Sequence, residues 1–505
     1  LPRPRGLGFE PDVFSFPGCA KSEAVMARIS SAITGIERRL LNSLALANAQ
    51  ITLSNLRMAT GHEINSAGDD PAAFVTLSGL ESQLGGVTAA LANVTAAGSM
   101  IAQTQTALTS IVTQLNTIRT ELLKDEDHGL SEAERAEAQA NIDAAIDQIN
   151  LLAGRKINGK TLLGGAADYF YSGRNSSQVA DIVAHGTLQS GTSISGTVTS
   201  TATQAELTYT GDASNQFDLT EETTFTLSGS RGGIVLTVND GDLLSTVATT
   251  INDNSHDTGV TAAVNEVNHT LTFTSVDYGS NAEVNIAFTT GSFVVSGGDG
   301  EGHDTGTNAE AVINGITIES DSNKVSGNRF SLNSSLGSFE IEFQADFTGA
   351  FDTITVEGNA LSFVLTTQVY NKATLAIPSV FAANLSGPSG RLNQLYTGGS
   401  LAGLDNNTSQ AIRVVDEALG KLTRIQGDVD GFYNAAISSS SELLSDMQTN
   451  LEDSIDSIDE VDDDAETERI NYYEALASNA VSGLAIVNQQ RMYIVRMLQD
   501  IAGLI

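Results

Sequence analysis

Apolar residues recur in two rhythms along this chain, and the change between them divides it. Near the start, Ile29, Ile33, Ile36, Leu40, Ala47, Ile51 and Met58 fall mainly on three- and four-residue steps. At the end, Ile470, Tyr473, Ala480, Leu484, Val487, Ile494, Leu498 and Ile501 do the same. Such steps draw one apolar stripe along a helix, the pattern of a coiled-coil seam. A longer series, Leu77, Leu80, Leu84, Val87, Leu91, Val94, Ile101, Leu108, Val112, Leu115, Ile118 and Leu122, keeps heptad spacing, with small or polar residues in the remaining seam positions. The spacing predicts a helix over 27–60 stopped near Gly61, then a long helix opened by Asp69 or Asp70 as cap and Pro71 in its first turn. After a break at 125–129, Ser131 and Glu134 form a capping box for a third helix carried by Ile142, Ile146, Ile149 and Leu152.

From about Tyr169 to Leu375 the rhythm becomes alternation, and 197–209, 223–227, 233–238, 270–274, 311–318 and 339–343 read as strands. Turn sequences separate them: Asn239-Asp240-Gly241-Asp242, Asp277-Tyr278-Gly279 and Asn314-Gly315. Residues 243–252 read as one short helix. The run Gly297-Gly298-Asp299-Gly300-Glu301-Gly302 reads as a linker between two β modules, at about 187–296 and 303–375. Helical spacing returns at Thr408 or Ser409 and is carried by Ile412, Val415, Leu422, Ile425, Val429, Phe432, Met447, Leu451, Ile455 and Ile458. An acidic break from Glu460 to Glu468 precedes the last helix.

The expected fold is therefore α+β: a discontinuous antiparallel helical coiled-coil stalk built from both chain ends, with a mainly β outer insert. Its expected parts are a tail over 1–25, an N-terminal inner helix over 26–65 and the stalk's N-terminal part over 66–168. The β insert then spans 169–380, the stalk's C-terminal part 381–462 and a C-terminal inner helix 463–505. Seams on helices two, three and 408–458 suit the core of the stalk. The terminal stripes have few internal partners on this layout and suit packing between copies. The expected assembly interface is Ile29, Ile33, Ile36, Leu40, Ile51, Leu484, Val487, Ile494, Leu498 and Ile501.

Charge sharpens this picture. The 505 residues hold 61 acidic against 25 basic side chains, a net charge of −36, which repels nucleic acid and anionic membranes and keeps a concentrated protein soluble. No apolar run reads as a membrane span. Residues 1–25 hold four of the seven prolines and the one cysteine, Cys19, and lack the pattern of a secretory signal. Met26 reads as the true start and the stretch before it as an upstream artefact or a disordered tail. Without that stretch no disulfide is available.

Candidate chemistry is sparse. Asp69 and Asp70 could form a carboxylate pair, but Pro71 and the helical run behind them make them caps. The histidines His62, His128, His185, His256, His269 and His303 are scattered, and none stands in a His-Glu-x-x-His arrangement. Asp253-Asn254-Ser255-His256-Asp257 alternates oxygen ligands as a calcium loop does, yet lacks its glycine and closing Glu, and reads as a turn. No P-loop is present, and no catalytic, metal or cofactor site is expected.

The residues resemble bacterial flagellin over almost all of 26–505. Gly61-His62-Glu63-Ile64-Asn65-Ser66-Ala67-Gly68-Asp69-Asp70 is similar to the family's first inter-helix signature, and Met100-Ile101-Ala102-Gln103-Thr104-Gln105-Thr106-Ala107-Leu108 to its second. Ile157-Asn158-Gly159-Lys160-Thr161-Leu162-Leu163 resembles the close of the N-terminal conserved region. Asp463-Asp464-Ala465-Glu466-Thr467-Glu468 and Leu484-Ala485-Ile486-Val487-Asn488-Gln489 resemble C-terminal signatures. In the insert, Gly259-Val260-Thr261-Ala262 with Asp277-Tyr278-Gly279-Ser280 resembles a module of flagellin outer domains, and Ala311-Val312-Ile313-Asn314-Gly315-Ile316-Thr317 a second. His62-Glu63 stand where the family has a basic residue, and Pro71 is more like the hook–filament junction protein. The resemblance implies a secreted, non-enzymatic subunit of the extracellular filament that self-assembles for motility. It also implies partners: the flagellar type III export apparatus, a flagellin chaperone, the filament cap and the hook-associated proteins. The alternatives are the hook–filament junction protein and an adhesin carried by the β insert.

Overall fold

A computed structural model describes residues 19–502, apart from 186–187, 335–336, 359, 369, 403 and 405–407; the side chains of 19–33, 126–128, 498 and 501–502 also lie outside the description. The chain forms two compact units. One comprises 1–86 with 447–505, the other 87–446.

In the first unit, α1 (Cys19–Thr60) and α8 (Asp463–Ala502) pack antiparallel. Arg57 meets Glu466, Leu40 lies beside Gly483 and Glu37 faces Arg491, a register that runs in opposite directions along the two helices. Helix α1 begins ahead of Met26, so 19–25 belong to it rather than to a tail. Between Gly18 and Gly35 no glycine or proline interrupts the helix. The stretch 1–18 lies outside the described residues. Past Gly61, which takes a left-handed φ of 73°, Asp69 accepts the N–H groups of Asn65 and Ser66. Asp70 accepts those of Ala72 and Ala73 and so caps α2 (Pro71–His128). The two carboxylates hold a turn and a helix end, as read.

In the second unit, α2 from Val87 onward packs with α3 (Glu132–Ala153) and with a helix that runs from Thr408 to Phe432 (α6), through a π-helical stretch over Tyr433–Ser438, into α7 (Ser439–Asp459). Val87, Ala90, Val94, Ala97, Ile101, Thr104, Leu108, Ile111, Leu115, Ile118 and Leu122 are all buried, an unbroken three–four alternation. Gln105 bonds Asp430, Arg119 bonds Asp416 and Asp125 bonds Thr408, which makes α2 and α6 antiparallel. The capping box at Ser131 is formed. By length and composition alone α2 could cross a membrane, which corrects the expectation that no segment could; its seam is instead buried against α3 and α6. This core also takes in Leu361, Leu375, Ile377 and Val380, so the helical part reaches into 169–380. Ile377 bonds back to Ala167, which brings the two ends of the insert together.

The β modules are nested, not successive. A host module holds β1 (Phe170–Ser172), β2 (Val179–Ala184) and β3 (Ser193–Ser200), and is completed after a long excursion. The excursion is an inserted module: β4 (Glu206–Thr210), β5 (Thr223–Gly229), β6 (Gly232–Val238), α4 (Leu244–Asp253), α5 (Ser255–Thr258), β7 (Val260–Asn265), β8 (Thr270–Ser275), β9 (Glu283–Thr290), β10 (Val295–Ser296) and β11 (His303–Thr305). Host strands then resume as β12 (Glu310–Ile313), β13 (Ile316–Ile318), β14 (Val325–Ser326), β15 (Arg329–Ser334), β16 (Gly337–Phe343) and β17 (Gly349–Glu357). All pairing is antiparallel. The host sheets run β1-β17-β3-β12-β13 and β14-β15-β16-β2, the inserted ones β10-β4-β8-β7 and β11-β9-β5-β6.

Two expectations fall here. The apolar alternation over 197–209 is two strands in different modules, because the chain crosses between them at 201–205. The glycine run 297–302 is not a linker but the turn between β10 and β11, with Gly297, Gly298, Gly300 and Gly302 all at positive φ. Each module has its own core, around Phe330, Phe339 and Ile341 in the host and around Phe217, Phe225 and Phe273 in the insert.

Candidate assembly surface

The α1–α8 pair carries the surface that sequence spacing assigned to assembly. Leu40, Ile51, Leu484, Val487 and Ile494 are half-buried, whereas Ile36 is 50% exposed. The seam therefore has internal partners that the spacing did not anticipate. Its buried members are small: Ala47, Ser54 and Ala480. Gly483 stands where a Cβ would come 3.0 Å from Leu40, so the helices approach closely. The side chains of Ile29, Ile33, Leu498 and Ile501 lie outside the described residues.

What spacing missed is a second apolar face. Leu41, Leu46 and Leu56 on α1, and Val481, Ile486, Met492, Tyr493, Val495 and Met497 on α8, are exposed. A helix that is apolar beyond one stripe needs cover on more than one side. The signal was in the sequence, as apolar residues off the three–four steps.

Polar contacts fix one end of the pair. Glu466 Oε1 accepts from Arg57 Nη1 at 3.0 Å and from Arg469 Nη1 at 2.8 Å. Burial pushes the Glu466 carboxyl up, and the Ser54 hydroxyl and the guanidinium groups of Arg57 and Arg469 beside it outweigh this and hold it below the usual range. Asp459 accepts the Ile64 N–H at 2.9 Å, and its other oxygen lies 2.6 Å from His62 Nδ1. Glu466 and Asp459, from the acidic stretch around 460–468, thus tie the end of α8 to the α1–α2 turn. His62, where the family has a basic residue, keeps a carboxylate partner.

In the second unit, charges fasten the host module to α6. Lys421 Nζ is 2.7 Å from Asp181, and His185 sits between Asp428 at 3.2 Å and Glu340 at 3.6 Å. Asp428 and then Glu340 raise the His185 imidazole to about 9, and His185 in turn draws Glu340 down to about 2. His256 Nδ1 lies 3.4 Å from Ser409 Oγ and its Nε2 lies 3.3 Å from Asp257, an arrangement with the look of a nucleophile, base and orienting acid. Ser409 and His256 are both buried, and the Ser409 hydroxyl is already engaged by Ser255 at 2.8 Å. The cluster ties α5 to α6 and offers no access to a substrate. Among the described residues no group of three or more His, Cys, Asp or Glu gathers as a metal site.

Comparison with known proteins decides the family. The bacterial flagellin N-terminal helical region matches residues 35–168, the flagellin hook IN motif 224–277 and the bacterial flagellin C-terminal helical region 412–498, together more than half of the chain. The chain belongs to the flagellin family. It is a structural component of the bacterial flagellum. The hook IN motif falls on β5 to β8 of the inserted module, and the two helical regions supply both helices of the α1–α8 pair.

Solved structures with likeness to the chain include the flagellar junction protein FlgL from Legionella pneumophila (12% identity, 77% of this chain and 100% of that one, TM-score 0.28). FliC from Burkholderia pseudomallei is another (12%, 67% and 98%, 0.23). A third is the D2-D3 part of the cap protein FliD from Escherichia coli (19%, 38% and 100%, 0.28). Scores this low do not distinguish among flagellar components. No curated protein matches the chain.

Proposed function

We propose that this chain is the subunit that polymerises into the bacterial flagellar filament, secreted, extracellular and without enzymatic activity. The observation that carries the reading is the exposed second face of α1 and α8. A two-helix pair leaves Leu46, Val481, Ile486 and Met492 in water, and apolar burial at ~25 cal/mol per Å² drives such a pair against copies of itself. On this reading the seam residues Leu40, Ile51, Leu484 and Val487 first join α1 to α8, and the outer face then joins subunits. Export through the flagellar type III apparatus, a chaperone on the C-terminal helix, and contacts with the cap and hook-associated proteins complete the proposal.

The second reading is the hook–filament junction protein, favoured by Pro71 directly after the Asp70 cap. An adhesin role for the β modules is compatible with either. Shearing surface filaments from cells and identifying the main protein separates subunit from junction protein by abundance. Seeded polymerisation of purified monomer is the direct test. Ile486→Asp on the outer face should abolish polymer while leaving helix content intact; normal polymer from that variant would overturn the reading.

A further inference from the structure

A strand at the edge of a sheet presents a row of unpaired N–H and C=O groups, and folded proteins shield such rows by brevity, charge, bulges or cover. In the two β modules nearly every edge is shielded. β1, β13, β10, β14 and β11 are two or three residues long, and β11 carries His303 and Asp304. On β7, the Asn252 side chain from α4 donates to the Ala262 carbonyl and accepts from the Ala262 N–H, both at 2.8 Å. On β2, Asp181 stands mid-strand and the Arg174 guanidinium bonds the carbonyls of Val179 and Ala180.

β6 has none of these devices. Gly-Gly-Ile-Val-Leu-Thr-Val, residues 232–238, carries no charge and no proline, and pairs with β5 residue for residue without a bulge. Helix α5 approaches it at the Gly232 end. The two-residue loop between Gly229 and Gly232 makes those residues a hydrogen-bonded pair, so pairing alternates from there. Ile234, Leu236 and Val238 then bond β5, while Gly233, Val235 and Thr237 turn their backbone groups to the free edge. The 3.0 Å approach of the Thr224 and Thr237 hydroxyls agrees, since side chains lie closer in non-hydrogen-bonded pairs. Val235 is 68% exposed.

We infer that β6 is a docking edge for β6 of a second copy of this chain, paired antiparallel about a two-fold axis at Val235. That register sets Val235 opposite Val235 and Gly233 opposite Thr237, and joins the outward groups in about six hydrogen bonds. It also sets Arg231 of each copy across from Asn239 and beside Asp240 of the other, so opposite charges flank an uncharged centre. This match selects a copy of the same strand over an arbitrary extended peptide. In a chain with net charge −36, a stretch free of carboxylates is also where two copies can approach at least cost. The pairing is separate from the α1–α8 surface and does not depend on the filament reading.

The test is disulfide trapping in the full chain with Cys19→Ser, once with the wild-type α8 and once with Leu484→Asp to keep it unassembled. Antiparallel partners lie about 5.5 Å apart at Cα, within disulfide reach. Val235→Cys should form a linked dimer at least about tenfold faster than Val267→Cys, because pairing raises the effective concentration of the thiol. Val267 is a fair control, being 85% exposed. Adding Thr237→Pro should remove that excess while leaving the melting curve unchanged, since the N–H it deletes faces outward. Equal rates at 235 and 267, or a rate untouched by Thr237→Pro, would overturn the inference. Faster homodimer trapping at 233 or 237 than at 235 would refute the two-fold register. Because trapping is read in the α8 variant too, loss of polymerisation and loss of β6 pairing are seen separately.

Discussion

Replacing Arg57 by Ala tests whether the α1–α8 pair is held at the end where its polar contacts lie. The side chains of Arg57 and Glu466 are only 13% and 6% exposed, and their contact is 3.0 Å. Removing one partner of a buried ion pair costs ~3–5 kcal/mol because a charge is left stranded. Two features lower that here. Arg469 remains on Glu466 at 2.8 Å, and a pair of helices is thin enough for water to screen much of the field. A charged hydrogen bond is worth ~1.5–3 kcal/mol, so we expect a loss of about 2 kcal/mol, roughly thirtyfold in the pairing equilibrium. Amide hydrogen exchange over 470–490 reads it locally: protection should fall by that factor, with little change in the β modules. The double variant Arg57→Met with Glu466→Leu should recover most of the loss, since apolar replacements strand no charge. Glu466 is held below its usual range, so its stabilising share is present above its unfolded value near 4.5 and is lost as pH falls through the lower folded value. The Arg57→Ala difference should shrink in that same direction. A loss under ~0.5 kcal/mol, or a double variant as weak as the single, would show that packing alone sets the pairing.

Three further outcomes are expected. Leu484→Asp puts a carboxylate into the half-buried seam beside Gly483; sedimentation should show no seeded polymer and exchange should show an opened α1–α8 pair, while the melt of the 87–446 unit stays in place. Joining Asp168 to Ala376 by a short glycine-bearing turn deletes both β modules where the Ala167–Ile377 bridge already brings the chain together; the helical core should fold with reduced stability from the loss of Leu361 and Leu375, and on the proposed function electron microscopy should show thinner filaments. His185 holds its proton more tightly folded than unfolded, so its contribution is full below about pH 6.5 and is lost as pH rises through about 9. Urea midpoints of the wild type should fall across that window, and those of His185→Gln should not.

Much of this protein is written in its sequence because helices announce themselves locally. Heptad spacing placed α2 and its seam, Ser131 with Glu134 marked a capping box that forms, and Asp70 before Pro71 marked a helix start. Spacing, however, names a stripe and not its partner. That the terminal stripe joins α1 to α8 within one chain follows from Gly483, Ala47 and Ala480 letting the helices approach, a property of two surfaces together. The β region shows the same limit more sharply. Alternation marked strands but ran 197–209 together, because the period of two continues unchanged when a chain leaves one sheet for another. Strand order is a non-local choice, and no local residue records that 309–357 returns to the sheets begun at 170–200. The ion pairs at Glu466 and His185 likewise join residues hundreds of positions apart. Local sequence determined which segments are helix and strand and where they turn; the tertiary structure decided which faces meet, because burial is settled between surfaces that the chain brings together only on folding.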